Sequence, residues 1–254
     1  MKTKNKLLSI ITVVKNDVIN IEKTIKSIIH QKNQYIEYLI IDGKSSDGTL
    51  KKINNFGSKI DKIISTKDKG IYDAMNIGIK NANGKYVGFC NSGDIIKFNS
   101  LKTIVKFLKK DIDVLFATVQ RHYLGATIIK SGFNLKRLKY NFDFATSHST
   151  GFYLKKTIHN KIGYYNLQFK CSADYDLYLR LFKVKGLKIS STNKSKIIGE
   201  VKSGGFSSTL TPLQHLNEET KIRIKNNQNI IFVSLIYVNT ILKIFLKKVK
   251  KLTT

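Results

Sequence analysis

Four times within about the first hundred residues, a short run dominated by Ile, Val and Leu gives way to a segment whose apolar residues recur at helical spacing. The first run, Leu7 to Val14, is rich in β-branched residues, the pattern of a strand covered on both faces. Behind it Ile21, Ile25, Ile28 and Ile29 share one helical face, with Asn16 or Asp17 available as N-cap. The pattern repeats with strands at Tyr38 to Ile41, Ile60 to Ile64 and Tyr86 to Cys90. The intervening helices open at Ser45-Ser46-Asp47-Gly48, run from Tyr72 to Asn81, and carry the face Leu101, Ile104, Val105 and Leu108. Asn83-Gly84 is placed to end the second of these as a left-handed cap. This alternation predicts an open, doubly wound α/β sheet rather than a bundle or sandwich.

Beyond Asp111 the rhythm weakens. Val114 to Val119 reads as a strand, Ile128 to Ser147 as irregular, Asp174 to Val184 as a helix, and Lys188 to Val201 as a late strand or hairpin. With no Pro/Gly linker to divide these parts, the expected organisation is one domain over 1–215. Its halves are 1–110 for a nucleotide-type ligand and 111–215 for a second subsite, followed by a helical segment over 216–254. Within that segment Asn229 to Leu246 is almost wholly apolar and is followed by Lys247, Lys248, Lys250 and Lys251. It is short for a bilayer span and contains Lys243, so it reads as an interfacial helix whose lysines reach anionic head groups. A C-terminal helix packed on the domain is the alternative. The basic start followed by Leu7 to Val14 imitates an export signal but lacks a small-residue cleavage site, and reads as the first strand.

The chain carries 45 basic against 17 acidic residues, a formal charge of +28. Such an excess ordinarily signals nucleic acid or an anionic membrane. Only Arg121, Arg137, Arg180 and Arg223 are arginines, whereas base-reading surfaces favour Arg for its planar, bidentate fork. Scattered lysines therefore argue against nucleic acid as a partner and leave anionic lipid or a phosphorylated substrate. Cys90 and Cys171 lie in no metal-ligand spacing and fit a reducing cytoplasm as free thiols.

Acids are scarce, so their positions carry information. Asp42 directly follows one buried run, and Asp94 lies four residues beyond another. In an open α/β sheet the ligand crevice lies outside the carboxyl ends of the strands, which directs both carboxylates toward one cleft. There a carboxylate holds a ribose hydroxyl or a divalent cation, and a cation offsets the charge of a pyrophosphate when a bond to it breaks. Gly93 lets the backbone approach a ligand closely. Neither G-x-G-x-x-G after the first strand nor G-x-x-x-x-G-K-[ST] occurs, which disfavours dinucleotide oxidoreductases and P-loop NTPases. A third cluster, Ser172-Ala173-Asp174-Tyr175-Asp176, opens a helix, where Asp174 serves either as a general base or as a structural first-turn acid.

Five segments taken together resemble the family 2 glycosyltransferases, especially the bacterial branch of colanic-acid-type enzymes that builds surface polysaccharide. They are Ser9 to Asn16, Tyr38 to Thr49, Asp68 to Gly78, Asn91 to Asp94 and Ser172 to Leu177, in the family's order. The resemblance covers roughly residues 7 to 210. It implies a GT-A fold, that is, a Rossmann-like, mainly parallel mixed sheet flanked by helices, here with a C-terminal amphipathic extension. By that resemblance the backbone around Val13 and the side chains of Asp42 and Asp68 hold the nucleoside of a sugar nucleotide. Asp94 matches the last carboxylate of the family's D-x-D motif and would ligate Mn²⁺ or Mg²⁺. Asn91 and Ser92 stand where carboxylates are common, which implies that metal binding leans on the donor's phosphates. Asp174 matches the base of the family's Glu-Asp pair, although Ala173 replaces the Glu. His148, in His-Ser-Thr-Gly-Phe-Tyr153, matches a family His near the diphosphate.

The processive members' Gln-x-x-Arg-Trp is missing, which favours transfer of a single sugar. The resulting expectation is an inverting, metal-dependent enzyme on the cytoplasmic face of the membrane. It would move a sugar from a nucleotide-diphosphate sugar, a UDP-sugar foremost, to a lipid-linked or oligosaccharide acceptor of O-antigen, capsule or lipooligosaccharide. The alternatives are a sugar-nucleotide pyrophosphorylase on a related fold, or a non-catalytic basic module that binds membrane or polyanion. Val14-Lys-Asn-Asp-Val18 lacks the Gly-rich, Arg-containing loop of the former.

Overall fold

Each of the predicted apolar runs forms a strand in the computed structural model, which describes residues 6–123, 126–140, 148–202, 204 and 210–252. In chain order the first unit of structure contains β1 (Leu8–Val14), α1 (Ile21–Ile29), β2 (Ile36–Asp42), α2 (Thr49–Asn54), β3 (Lys62–Ser65) and α3 (Ile71–Asn81). It continues with β4 (Tyr86–Phe89), β5 (Ile95–Ile96), α4 (Ser100–Leu108), β6 (Val114–Phe116), β7 (Thr118–Tyr123) and β8 (Ala126–Lys130). The short α5 (Leu135–Leu138), then β9 (Phe152–Lys155) and α6 (Lys156–Ile162) follow. After α7 (Ala173–Leu181) come β10 (Ile189–Ser191), β11 (Ile197–Val201), α8 (Pro212–Lys225) and α9 (Ile230–Leu252). The chain divides into two compact units, Met1–Tyr164 with Lys185–Ser203, and Tyr165–Val184 with Gly204–Thr254.

The first unit holds every described strand. Seven form a mixed sheet in the order β10-β6-β9-β4-β1-β2-β3, in which β1 to β4 are parallel and β9 runs against both β4 and β6. All seven residues of β1 are buried, as a central strand covered on both faces must be. Ile21, Ile25 and Ile28 of α1 join Ile10, Ile40 and Tyr86 in one apolar core, to which α4 adds Leu101, Ile104 and Leu108. A second sheet, β5-β11-β7-β8, pairs β11 with β7 in parallel and with β5 antiparallel. The second unit is built from α7, α8 and α9.

Three details depart from the sequence reading. Helix α3 ends at Ala82 in extended backbone (φ −72°, ψ 136°), so Asn83-Gly84 is not a left-handed cap. Gly84 instead lies against β1: its N–H donates to Ser9 Oγ (2.8 Å), and any Cβ there would collide with the Ser9 backbone nitrogen. The stretch from Ile128, expected to be irregular, contains the end of β8 and all of α5, while 141–147 lies outside the described residues. Four of the five residues of β8 are exposed, so the strand carries no alternation of burial to read and exists through its pairing with β7. Lys188 to Val201 is not a hairpin, because β10 joins β6 in the large sheet and β11 joins the small one.

Candidate active site at the carboxyl edge of the sheet

Asp42 is the last residue of β2 and fully buried. Its carboxylate accepts the Ser65 hydroxyl at 2.7 Å and the Ser45 N–H at 3.3 Å, which ties the ends of β2 and β3 together. Asp68, in the loop after β3, accepts the Gly70 N–H at 3.0 Å and lies against Gly43 so closely that any Cβ on that glycine would meet Asp68 Oδ2. Asp68 thus lies against Gly43, the residue that follows Asp42. On the adjoining strand, the Val13 carbonyl accepts the Ser92 N–H at 3.2 Å, and the Val14 carbonyl accepts that of Gly43 at 2.9 Å.

Beyond β4 the chain turns sharply. Asp94 N–H returns to the Asn91 carbonyl at 3.0 Å, with Gly93 at φ +93° in the position where a type II turn demands positive φ. Thr24 of α1 clamps this turn, its hydroxyl donating to Asp94 O (2.8 Å) and accepting from Gly93 N–H (3.0 Å). Ser92 donates to Asp17 Oδ2 at 2.6 Å. Strands β2 and β4 flank β1, so Asp42 and the turn are two strand spacings apart, roughly 10 Å.

The topology completes the surroundings of Asp94. Because β9 runs antiparallel to β4, the residues just before it arrive at the carboxyl end of β4. Thr150 there donates its hydroxyl to Asp94 Oδ2 at 2.8 Å. Because β11 pairs antiparallel with β5, Glu200 opposite Ile95, the Lys202 backbone N–H reaches the same carboxylate. Asp94 is 5% exposed, and burial pushes its carboxyl up to about 7 against the pull of Thr150, Lys202 N–H and the Arg121 charge. His148 Nδ1 accepts the Thr150 N–H at 3.3 Å, which leaves the ring proton on Nε2. Burial and the Arg121 charge lower this imidazole to about 3, so it is neutral, and its 3.8 Å approach to Asp94 is no ion pair. Asn91 Nδ2 donates to Ser149 Oγ at 3.1 Å, whereas Asn91 Oδ1 is buried with no hydrogen-bond partner. A cavity of about 280 Å³ opens against Gly93, with Lys23, His122, Glu200 and Lys202 supplying its polar wall.

Among the described residues no three acids, histidines or cysteines are placed to cage a metal. The turn nevertheless suits a hard cation: it presents the Asp94 carboxylate and the orphaned Asn91 oxygen, and Mg²⁺-like ions are commonly held by one or two protein oxygens plus substrate phosphates.

Asp174 belongs to the second unit, as the second residue of α7. It is half-buried, its Oδ1 accepts the Tyr175 N–H at 3.0 Å, and its charge adds to burial in raising the Tyr165 and Tyr178 phenols. Asp176 is buried and bonded to Arg180 Nε and Asn226 Nδ2, each at 2.9 Å, which makes it structural. The sequence reading missed Thr150, Thr24 and Gly43; Thr150 sits inside a motif of which only His148 was singled out.

A buried acid on a tight turn at the carboxyl edge of a mainly parallel sheet, with further acids at the end of β2 and after β3, marks the edge at which α/β enzymes bind their ligands. Residues 9–172 match the family model described as glycosyl transferase family 2, and the chain belongs to that family. It is 27% identical over 233 residues to a PGL/p-HBAD biosynthesis glycosyltransferase of Mycobacterium bovis, covering 86% of this chain and 87% of that one. It is 25% identical over 244 residues to the Escherichia coli UDP-Glc:alpha-D-GlcNAc-diphosphoundecaprenol beta-1,3-glucosyltransferase WfaP, covering 93% and 95%. Among solved structures it resembles S. aureus TarS 1-349 in complex with UDP-GlcNAc, with a TM-score of 0.70 and 18% identity over 92% of this chain and 71% of that one. The mannosyltransferase PcManGT from Pyrobaculum calidifontis, in complex with GDP-Man and Mn²⁺, gives 0.63 and 13% over 88% and 64%. The fold is accordingly GT-A, and family membership decides for a glycosyltransferase over the pyrophosphorylase and non-catalytic alternatives.

Proposed function

We propose that the protein is an inverting, metal-dependent glycosyltransferase that moves one sugar from a UDP-sugar to a lipid-linked or oligosaccharide acceptor of bacterial surface polysaccharide. The carrying observation is the Asn91–Asp94 turn, where a buried carboxylate and an orphaned amide oxygen stand at the carboxyl edge of the sheet beside Asp42 and Asp68. The WfaP relative, named for a UDP-Glc donor and a diphosphoundecaprenol acceptor, supports this substrate class.

In this reading Asp42, Asp68 and the backbone around Val13 hold the nucleoside. Asp94 and Asn91 would hold Mn²⁺ or Mg²⁺, which would supply positive charge against the departing diphosphate. His148, neutral with its proton on Nε2, offers an N–H to a phosphate oxygen. Asp174 takes the proton of the acceptor hydroxyl as that oxygen bonds to the anomeric carbon. The bond to the diphosphate breaks on the opposite face, and the configuration inverts. A panel of nucleotide-diphosphate sugars with and without Mn²⁺ tests the donor. A UDP-sugar near 100 times its Kd should stabilise the fold by about 2.7 kcal/mol, raising Tm by roughly 5 °C or more. No shift and no hydrolysis with any nucleotide sugar defeats the reading.

The same reading places the enzyme peripherally on the inner face of the cell membrane through the segment 216–254. No helix of the described residues is long and apolar enough to cross a bilayer. Helix α9 exposes Ile231, Leu235, Val238, Leu242, Phe245 and Val249, three or four residues apart, and its sequence bears Lys243, Lys247, Lys248, Lys250 and Lys251. Vesicles containing anionic lipid should bind the full chain, with binding that weakens as salt rises, and should not bind a chain lacking 229–254. Equal binding by the truncated chain removes α9 from membrane association.

A further inference from the structure

Helix α7 begins without a side-chain cap of its own. Ser172 occupies the N-cap position, yet its side chain makes no capping hydrogen bond. The entry to the helix is held from another element. Glu218, on α8, accepts the backbone N–H groups of three consecutive residues, Lys170, Cys171 (2.9 Å) and Ser172 (3.0 Å). Successive N–H groups converging on one carboxylate form an anion nest, with charge-assisted bonds stronger than a hydroxyl cap provides. The Cys171 thiol donates to the same carboxylate, and His215, one turn before Glu218, lies 3.4 Å from that sulfur. This trio is not a nucleophilic centre: burial and the Glu218 hydrogen bond push the Cys171 thiol up to about 12, which keeps it protonated and a donor.

Two residues past this grip stands Asp174. The Glu218 and Asp174 charges both act on the Cys171 thiol, so the two carboxylates share one electrostatic neighbourhood. Ala173, fully buried, occupies the place of the acid that precedes the base in the family's Glu-Asp pair, and here a carboxylate reaches the helix start from α8 instead.

We propose that Glu218 is a positioning residue for Asp174: by gathering the three N–H groups ahead of α7, it sets the direction from which the Asp174 carboxylate meets the acceptor hydroxyl. The proposal rests on Asp174 as the base. A side chain one ångström out of place can lose up to about 10²-fold in rate.

The test is a double-mutant cycle on the full chain, reading transfer rate and donor affinity on the same folded preparation. Glu218→Gln keeps the shape but presents an NH₂ where an acceptor is needed. Its kcat should fall about tenfold while donor affinity stays within about twofold. In an Asp174→Asn background the same substitution should change kcat by less than about twofold, because a residue acting through Asp174 has nothing left to position. Should Glu218→Gln fail to fold, Glu218→Asp, which keeps the charge on a shorter arm, runs through the same cycle. Near-normal turnover of the Glu218 variant, or a loss of equal size in both backgrounds, overturns the positioning role while leaving the base assignment intact. Normal turnover of Asp174→Asn alone overturns the base assignment and this proposal with it.

Discussion

Asp174→Asn is expected to lower sugar transfer by about 10²-fold or more while donor affinity stays within about twofold. The amide keeps the shape of the carboxylate and can still accept the Tyr175 N–H, so α7 should begin where it does now. It cannot take a proton from an acceptor hydroxyl. A merely structural acid in a first helical turn behaves otherwise: its replacement lowers stability by about 1 kcal/mol or less and leaves turnover per folded molecule unchanged. Initial rates at saturating donor and acceptor, paired with donor binding by calorimetry, separate the two. Equal losses in rate and affinity, or a near-normal rate, remove Asp174 from the chemistry. Asp176 would not inherit the role, because Arg180 and Asn226 already hold its carboxylate inside the helical unit.

Asp94→Asn should combine loss of function with gain of stability. The Mn²⁺-dependent part of donor affinity should disappear, a loss of about 10²-fold or more if the cation supplies several kcal/mol to the bound diphosphate. Stability moves the other way. Burial raises the folded-state carboxyl to about 7, whereas an unfolded Asp titrates near 3.8. Between these values the folded chain keeps a proton that the unfolded chain has released, so rising pH destabilises the wild type through that window. Above about 7 the buried charge exerts its full penalty. Asn does not titrate, so in cation-free buffer the two proteins should melt alike below pH 4, and the variant should melt higher at pH 8. Thermal scans at both values with a chelator present, beside donor binding with Mn²⁺, check both halves. A variant that retains Mn²⁺-stimulated donor binding defeats the ligand assignment, and one that melts lower at pH 8 shows that Asp94 is stabilising as a charge.

The helices and strands of the first hundred residues were legible because their signals are local. A run such as Leu8–Val14 is buried on both faces in any fold that accepts it, and Ile21, Ile25 and Ile28 face a core whatever strand they cover. Asp42 and Asp94 were legible for a related reason: the end of a buried parallel strand is where an open α/β sheet places its ligand. What failed was also local. Asn83-Gly84 looks like a cap, but the glycine answers to a neighbour 75 residues away, Ser9 on β1. Strand β8 shows no pattern, because its residues are exposed and only β7 holds it.

The sequence by itself determined the α/β class, the family, and the tight turn that presents Asn91 and Asp94, since strand burial, helical period and the positive φ of Gly93 are decided within a few residues. Tertiary structure decided what surrounds those groups. Thr150 meets Asp94 only because β9 runs antiparallel between β4 and β6 and so delivers its leading residues to the carboxyl edge. The Lys202 N–H arrives through the register of β11 on β5; burial lifts the Asp94 carboxyl to about 7, and these two donors pull against it. In the helical unit, the start of α7 is held by Glu218, some 46 residues on from Ser172, and not by a side-chain cap from Ser172. A hydrogen-bond partner 46 residues distant carries no periodicity and leaves no local trace. Its position follows from strand order and helix packing, which exist only once the whole chain has closed.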